Sequence, residues 1–320
     1  MSRTAVIFGG CGFFGTHMAR ALSADPEVGR IVLADIQPPR ELAAKADYVI
    51  CDVRQPITFP TQGPVEIYNF AAVHTSPGPA DWEYFWTNVA GATNVCRFAE
   101  AIGARRIVFT SSVGVYGPQE CLVDERTTPR PVTAYGKSKL LAEQIHEDWQ
   151  ARSGDRRLLI VRPAVTFGEG ERGNFERLAS VLRERRFVYP ARKDTVKACA
   201  PVEELARSIA FMAQFDEPVL RYIFAYPDRT TTEAINRGFG EAAGYAMPRL
   251  VLPEKLIMVA AFGFEVLGKV GVRTAINRER VRKLIRSTNA YPHELISRGF
   301  AFEIGLAEAL RRWQQSSDFR

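Results

Sequence analysis

A tyrosine and a lysine four positions apart, Tyr135 and Lys139, form the most chemically suggestive pair in the sequence. Residues at i and i+4 share one face of a helix, so the lysine ammonium would lie beside the phenol. A tyrosine with an unperturbed pKa of about 10 is a poor base near neutrality. A neighbouring cation would favour the phenolate and lower that pKa. Together with Ser112, which could hold a substrate oxygen, the pair predicts a proton-transfer site, although an isolated Tyr-x-x-x-Lys is also typical of an exposed helical pair.

A glycine-rich turn near the N-terminus predicts dinucleotide binding. It therefore favours the interpretation of Tyr135 and Lys139 as a proton-transfer site over that of an exposed helical pair. Residues 9–15 read Gly-Gly-Cys-Gly-Phe-Phe-Gly and follow an apolar strand. Glycines permit the tight turn and let backbone N–H groups approach a pyrophosphate, whose charge the next helix N-terminus stabilises. Asp35 lies twenty positions beyond Gly15, where a carboxylate binds the adenosine ribose. That carboxylate would repel a 2′-phosphate and favours NAD, while Arg40 nearby leaves NADP open.

Alternating strand and helix patterns must position these residues. Short apolar runs predict strands at 4–8, 31–35, 48–51, 66–70, 106–110 and 158–162. Helical patterns fall at 15–23, 87–102 and 138–152. The alternation indicates an α/β fold with a Rossmann-type doubly wound parallel sheet, in which ligands bind at the carboxyl ends of the strands.

The regular alternation of strand and helix patterns ends after Pro163. An amphipathic helix at 174–186 is followed by a helix and a strand at 201–225 that return to the sheet, and the remainder is mostly helical. We therefore predict an NAD-binding domain of residues 1–165 plus about 195–225. A smaller, mostly helical substrate lobe would comprise about 166–194 plus 226–320.

Composition excludes several classes of protein. The chain has 320 residues, of which 46% are hydrophobic and 24% charged, so it is neither disordered nor collagen-like. Five scattered cysteines without a CxxC pair, together with four histidines, predict reduced thiols and no metal site. The N-terminus lacks a secretory pattern, so we expect a cytoplasmic protein. The net charge of +6 fits an enzyme for anionic small molecules as well as a nucleic-acid binder, so it does not decide between them; we predict no nucleic-acid partner.

Two segments near residue 270 need separate interpretation. The apolar stretch 256–268 is too short to span a bilayer and contains Glu265. A buried helix or one that packs between lobes is the preferred interpretation, and a surface-lying amphipathic helix is the alternative. The basic run 273–286 predicts a solvated helix face, with an anion-steering rim as the second interpretation and a nucleic-acid surface as the third. Stable membrane insertion is not expected.

Further motifs occur in a familiar order: Cys51-Asp52-Val53, Asn69-Phe70-Ala71-Ala72, Asn88-Val89-Ala90-Gly91-Ala92-Thr93-Asn94, Ser111-Ser112-Val113-Gly114-Val115-Tyr116-Gly117 and Arg162-Pro163. With the glycine turn and the Tyr/Lys pair, they make the sequence resemble an extended short-chain dehydrogenase/reductase of the NAD-dependent epimerase/dehydratase group. The resemblance covers about two-thirds of the chain and is nearest to UDP-galactose and other UDP-sugar 4-epimerases. It implies a homodimer and NAD contacts from Gly9, Gly12, Phe13, Phe14, Gly15, Asp35, Ile36, Asp52, Val53, Phe70, Ala71, Ala72, Asn88, Thr110, Ser111, Tyr135, Lys139, Pro163 and Val165.

The same resemblance implies a substrate side that holds a nucleotide diphosphate sugar. Asn174 and Lys197 stand where related epimerases contact the diphosphate. From their positions in the sequence, Ser112 could hold the substrate oxygen, and His74, just past a strand that borders the cofactor, could reach the substrate. Each has a simpler alternative, since Asn174 could be a helix cap, Lys197 a solvated loop lysine and His74 a loop residue without a chemical role.

The residues beside Ser112 narrow the choice among the reactions of this family. Val113 and Gly114 follow it where related 4,6-dehydratases carry an Asp-Glu pair, and the Cys/His pair of keto-sugar 3,5-epimerases is not evident. The leading hypothesis is therefore an NAD-dependent nucleotide-sugar 4-epimerase with Tyr135 as base. Alternatives are a nucleotide-sugar 4-ketoreductase or dehydrogenase, a 3β-hydroxysteroid-type or lipid alcohol dehydrogenase, and a non-catalytic NAD-sensing protein.

Overall fold

A seven-stranded parallel sheet forms the centre of the molecule. The computed structural model describes residues 2–75, 79–269 and 284–320. The sheet contains β1 (Arg3–Phe8), β2 (Val28–Asp35), β3 (Ala46–Ile50), β4 (Val65–Asn69), β5 (Arg106–Thr110), β7 (Arg157–Pro163) and β11 (Val219–Phe224). Their spatial order is β11-β7-β5-β4-β1-β2-β3. The doubly wound α/β fold predicted from the sequence is thereby confirmed.

Strand β1 shows why the sheet is buried on both faces. Successive side chains of a strand point to opposite faces. Ala5 and Ile7 accordingly join one hydrophobic cluster, while Val6 and Phe8 join the other. The four consecutive apolar residues of β1 therefore pack alternately against the helices on the two faces of the sheet.

Helices cover these two faces. The first face packs against α1 (Phe13–Ala24) and α6 (Val202–Met212). The second packs against α3 (Gly91–Ala101) and α4 (Ala134–Ala151). Before α3 the chain forms α2 (Asp81–Phe85) and a π-helical turn (Trp86–Ala90), and a short 3₁₀ turn (Val113–Tyr116) follows β5.

The sheet reverses its strand order between β1 and β4. From β1 the chain runs outward through β2 and β3, then returns to β4 on the other side of β1. Such a switch point opens a crevice at the carboxyl ends of the strands. The glycine turn follows β1 and Phe70 follows β4, so both lie at this crevice.

The remaining elements form a second layer of structure. The helices are α5 (Asn174–Arg183), α7 (Thr232–Ala243), α8 (Glu254–Lys269), α9 (His293–Ser297) and α10 (Leu306–Ser317). Three parallel strand pairs join distant segments: β8 (Val165–Phe167) with β10 (Cys199–Pro201), β9 (Tyr189–Pro190) with β12 (Val251–Leu252), and β6 (Gln119–Val123) with β13 (Thr288–Ala290). Phe175, Phe239 and Trp313 centre a separate hydrophobic cluster here. The two-domain boundaries given above stay a prediction.

The apolar stretch 256–268 corrects one expectation. It forms most of α8, yet Leu256 is 62% exposed and Val259 is 70% exposed. The prediction of a buried or lobe-packing helix is therefore wrong for this face, because the helix packs through Ile257, Met258 and Ala261 instead. Most of the basic run 273–286 lies outside the described residues. Within the described ranges, no helix combines the length and the apolar character needed to cross a membrane.

Candidate active site

The glycine turn between β1 and α1 forms a cradle that only glycine allows. Gly9 has φ of 72°, and a Cβ there would lie 2.7 Å from the backbone nitrogen of Ala71. A Cβ at Gly15 would collide with the carbonyl oxygen of Gly9. Gly12 is the N-cap of α1, so the first turn of that helix opens directly onto the cradle. The turn keeps side chains away from the helix N-terminus, which is the arrangement a pyrophosphate needs.

Asp35 is fixed at the mouth of this cradle. Its Oδ2 accepts a hydrogen bond from the Cys11 backbone N–H at 3.0 Å, and its Oδ1 accepts one from the Gln37 N–H at 3.1 Å. The next residue, Ile36, is 55% exposed although it is apolar. The rigid carboxylate of Asp35 is suited to accept hydrogen bonds from an adenosine ribose, and the exposed apolar side chain of Ile36 is suited to contact the adenine base.

The residues expected to contact the adenine include an ion pair. The Asp52 carboxylate accepts from Arg54 Nη2 at 2.7 Å, and the Arg54 guanidinium lies 5.1 Å from the Trp86 ring centroid. Hydrogen bonding to Arg54 lowers the pKa of Asp52. Val53 is buried beside it. Asp52 is therefore a fixed anion, oriented by an arginine that the sequence motif did not single out.

Asn88 holds the loop after β4 against α4. Its Oδ1 accepts from the Val73 N–H at 2.9 Å, while its Nδ2 donates to the Val73 carbonyl at 3.1 Å and to Ser138 Oγ at 2.9 Å. Phe70 meets Phe14 edge to face, with ring centroids 6.3 Å apart. The amide of Asn88 thus positions one wall of the crevice. Its predicted contact with the cofactor, like those of Ala71 and Ala72 in the same wall, stays a prediction.

Helix α4 brings the Tyr/Lys pair to the end of β5. Thr133 caps the helix, its Oγ1 accepting from the Gly136 N–H at 3.1 Å. A Cβ at Gly136 would collide with the carbonyl oxygen of Gly114, so glycine lets the helix lie directly against the 3₁₀ turn. Ser112 caps that turn, accepting from the Gly114 N–H at 3.0 Å, and is hydrogen-bonded to Tyr135. The exposed-pair alternative for Tyr135 and Lys139 is therefore wrong.

Lys139, one turn after Tyr135 on α4, is buried. Its side chain is 2% exposed, and Nζ donates to the Thr110 carbonyl oxygen at 2.8 Å. The same ammonium lies 5.0 Å from the Phe109 ring centroid. Burial lowers the pKa of Lys139 to about 7, although the charge of Glu143 opposes this shift. A cation held in this way responds to any negative charge that develops nearby.

The pKa of Tyr135 differs from the expectation. Burial raises it, the hydrogen bond with Ser112 lowers it, and Tyr84, whose ring centroid lies 6.1 Å away, raises it. The net direction is upward, so the polypeptide alone does not favour the phenolate. The physical reason is that burial strips solvent from Tyr135 and also weakens the proton affinity of Lys139.

Two buried polar atoms at the strand ends have no hydrogen-bond partner within the described part of the chain. They are Ser111 Oγ, next to Ser112, and Asn69 Oδ1, at the end of β4. Buried polar groups normally find a partner, so these atoms fit a site that a polar ligand or water completes. Pro163 ends β7 and Val165 begins β8, at the same edge of the sheet. Together with the glycine cradle and Asp35, the residues present fit NAD.

A buried ion pair below Lys139 was missed by sequence reasoning. Arg162 donates to both carboxylate oxygens of Glu143, at 2.9 and 2.6 Å, and to the Tyr116 hydroxyl at 2.6 Å. Glu143 lies four residues after Lys139, on the same helix face. An arginine inside an otherwise apolar strand was the available signal, because a buried arginine requires a partner.

The predicted substrate residues lie in three places. His74 is exposed after β4, and both desolvation and the charge of Lys139 lower its pKa. Asn174 is the first residue of α5, and its Oδ1 accepts from Arg177 Nη2 at 3.0 Å. The cap alternative for Asn174 is wrong, because Gly173 is the N-cap and the buried Glu171 carboxylate accepts from the Glu176 N–H at 3.0 Å.

Lys197 is partly buried at the edge of the second layer. Its Nζ donates to the Arg286 carbonyl oxygen at 2.7 Å, and burial lowers its pKa to about 8. The solvated-loop alternative is therefore wrong. Whether Lys197, Asn174 and His74 contact a substrate stays a prediction. Within the described ranges, no group of three or more His, Cys, Asp or Glu side chains is arranged to hold a metal ion.

Comparison with known proteins decides the family. The model of the NAD dependent epimerase/dehydratase family matches residues 5–192. The chain belongs to this family. It is therefore an enzyme of the epimerase/dehydratase class with NAD as cofactor, and the family resemblance inferred from the sequence is confirmed.

Individual relatives are more distant. A curated relative from Escherichia coli O157:H7, N-acetyl-alpha-D-glucosaminyl-diphospho-ditrans,octacis-undecaprenol 4-epimerase, is 28% identical over 98% of this chain and 95% of its own length. The UDP-glucuronic acid 4-epimerase of Bacillus cereus, solved with NAD, has a TM-score of 0.74 at 15% identity and covers 98% of this chain and 97% of its own. The UDP-glucose 4-epimerase of Thermus thermophilus, also solved with NAD, gives 0.73 at 20% identity, with 99% and 98% covered. The two structures are similar in fold.

Proposed function

We propose that this protein is an NAD-dependent 4-epimerase of diphosphate-linked sugars, with Tyr135 as its base. The observation that carries the proposal is that Ser112 is hydrogen-bonded to Tyr135, while Lys139, one turn further along α4, donates to the carbonyl oxygen of Thr110 at the end of β5. The group lies at the carboxyl edge of the sheet that also carries the glycine cradle. The relative that spans the whole chain is a 4-epimerase, which supports the choice among reactions of the family.

Each of the three residues has a distinct task in this proposal. Tyr135 accepts the proton of the sugar hydroxyl, and Ser112 donates a hydrogen bond to the oxygen that becomes a carbonyl. Lys139 lies below them, and its ammonium stabilises the phenolate. NAD bound in the glycine cradle would supply a reversible hydride acceptor for the sugar carbon. Tyr135 gives the proton back to the same oxygen after the keto sugar has presented its other face.

The cofactor would be held by residues already fixed in place. The glycine cradle and the N-terminus of α1 would receive the pyrophosphate, and Asp35 would accept from the ribose hydroxyls. Because the carboxylate of Asp35 is locked by Cys11 and Gln37, it cannot turn away from a 2′-phosphate, which supports NAD over NADP. Net reaction leaves the cofactor unchanged, so we expect it to remain bound during turnover.

The substrate carrier has two candidates that share a sugar diphosphate. Nucleotide sugars are the first, in line with the motifs of UDP-sugar 4-epimerases. A lipid-linked sugar diphosphate is the second, because the substrate in the name of the full-length relative is of that kind.

Turnover without added cofactor tests the reaction. Purified protein is incubated with UDP-sugars, GDP-sugars or a polyprenyl-diphosphate sugar, and products are resolved by NMR at C4. We expect the C4 epimer with no net NADH. Accumulation of NADH, or a strict requirement for added cofactor, would instead identify a dehydrogenase or ketoreductase.

The variant Tyr135→Phe tests the base. We expect epimerisation to fall by roughly 10²- to 10⁴-fold, as for loss of a general base, while NAD affinity stays within a few-fold of wild type. Tyr245→Phe is the matched control, because Tyr245 lies in the second layer and hydrogen-bonds Arg183. An unchanged rate in Tyr135→Phe would remove Tyr135 from the mechanism.

A further inference from the structure

Between residues 256 and 263, one exposed face of α8 is apolar. Leu256, Val259, Ala260 and Gly263 are all exposed, at positions i, i+3, i+4 and i+7 of the helix. A helix on the surface of a globular protein normally carries charged or polar residues on that face. Here the exposed face and the packed face are both apolar, so the exposed one is available for a second contact.

Exposed apolar side chains continue upstream of the helix. Met247 is 40% exposed, Leu250 58% and Val251 36%. With Leu256 and Val259 they form what we call the apolar strip: Met247, Leu250, Val251, Leu256 and Val259. Single exposed hydrophobic residues are ordinary, whereas a run of them within thirteen positions marks an interaction surface.

Positive charge accompanies the strip. Arg249 and Lys255 are exposed within it, with Glu254 as the acid between them. In the sequence that follows, residues 269–286 carry seven Lys and Arg against one Glu. That surplus of six equals the formal net charge of the whole chain, so the rest of the protein is neutral on balance. A partner of this strip should therefore be negatively charged.

Charge also distinguishes between the two simplest candidate partners of the strip, which are a second copy of this chain and a lipid bilayer. A second copy of this chain would bring an equal positive charge to the contact, which like-charge repulsion disfavours. A bilayer with anionic headgroups would attract the same charge and accept the apolar side chains beneath its headgroups. The described part of the helix, 16 residues, measures roughly 24 Å, which is shorter than a hydrocarbon core of about 30 Å.

We propose that the apolar strip binds the surface of an anionic phospholipid bilayer, with α8 parallel to the membrane plane. This surface goes beyond the proposed function, which needs no membrane. The two are compatible, because a lipid-linked sugar diphosphate presents its sugar at the same interface.

Vesicle co-sedimentation of the full-length protein tests the proposal. Vesicles of phosphatidylcholine with about 30 mol% phosphatidylglycerol provide the anionic surface, and pure phosphatidylcholine provides the neutral one. We expect at least about tenfold stronger partitioning to the anionic vesicles, and a decrease as salt is added. The double variant Leu256→Ser/Val259→Ser should lose about tenfold of that binding, while Leu42→Ser, a leucine 52% exposed elsewhere, should match wild type.

Several results would overturn the proposal. One is failure of wild-type protein to bind anionic vesicles, and another is unchanged binding by the double variant. A concentration-dependent dimer that the double variant disperses would make the strip a contact between copies instead. Epimerisation of a soluble nucleotide sugar is measured on the same samples, because it should be unaffected and therefore separates failure here from failure of the proposed function.

Discussion

At the scale of single residues, Lys139 shows a conflict between stability and chemistry. Its ammonium is almost fully buried and has one backbone carbonyl as hydrogen-bond acceptor. Burying a cation is unfavourable, and the lowered pKa of about 7 expresses that penalty. We therefore assign Lys139 to the proposed reaction and not to the stability of the fold.

The variant Lys139→Met tests this conflict through pH. An unfolded lysine has a pKa of about 10.4, so between about pH 7 and that value the unfolded chain binds more protons than the folded one. Lys139 therefore makes the free energy of unfolding rise with pH over this window, and its full penalty applies below pH 7. The variant should be more stable than wild type near pH 7, and the difference should shrink by roughly 2 kcal/mol towards about pH 9.

Urea unfolding at several pH values measures that difference. Lys137→Met is the matched control, because Lys137 lies on the same helix but is exposed. A Lys139→Met variant whose difference from wild type does not change with pH would show that the lysine keeps its proton throughout the range. The same variant should lose epimerisation.

At the scale of elements, α4 is held by one polar face. Lys139, Glu143 and His146 follow one another along that face and contact β5, β7 and β4 in turn. His146 accepts from Asn69 through Nε2 and donates from Nδ1 to the Ala142 carbonyl, and burial lowers its pKa to about 4, which keeps the ring neutral. The helix is therefore aligned by directional hydrogen bonds as well as by packing. Because Tyr135 lies on the same helix, these bonds also help to fix its position.

Removing the Glu143 carboxylate should loosen this alignment. Glu143→Ala leaves the Arg162 guanidinium buried without its anion, so we expect a loss of about 3–5 kcal/mol in unfolding free energy. Replacing both residues, as Glu143→Leu with Arg162→Met, should recover most of it. Asp47→Ala breaks the exposed pair between Asp47 and Arg30 and should lose less than about 1 kcal/mol. Equal losses from the buried and exposed pairs would contradict this role of the Glu143–Arg162 bond.

Elements were predictable from the sequence where local pattern determines them. Strand 106–110 and the glycine turn follow from apolar runs and turn chemistry, and both are where we expected them. The contacts of Asn88 with Val73, and of Arg162 with Glu143, join segments 15 and 19 residues apart and were not predictable, because hydrogen-bond partners depend on the packed fold. The exposure of α8 was missed for a related reason: an apolar helix is buried only if another surface covers it.

At the scale of the whole molecule, the sheet and the second layer share a hydrophobic core. Leu295 and Phe300, near the C-terminus, belong to the cluster on one face of the sheet. Phe302 packs against that cluster and also against the cluster of the second layer. The buried carboxylate of Glu204 on α6 accepts from the backbone N–H groups of Glu303 and Ile304, each at 2.9 Å. The segment 300–304 therefore joins the two cores.

This shared core predicts that NAD bound at the glycine cradle stabilises helices far from it. If both cores unfold together, cofactor at a hundred times its Kd should add about 2.7 kcal/mol of protection to every slowly exchanging amide. Hydrogen exchange should then slow in α7 and α10 as much as in β1. Gly15→Ala, which fills the cradle, should abolish the response in both regions, and Phe302→Ala should confine it to the sheet because it removes the side chain common to both clusters. Protection of β1 without protection of α7 in the wild-type protein would mean that the two layers unfold separately, and that cofactor binding does not reach the layer carrying Asn174.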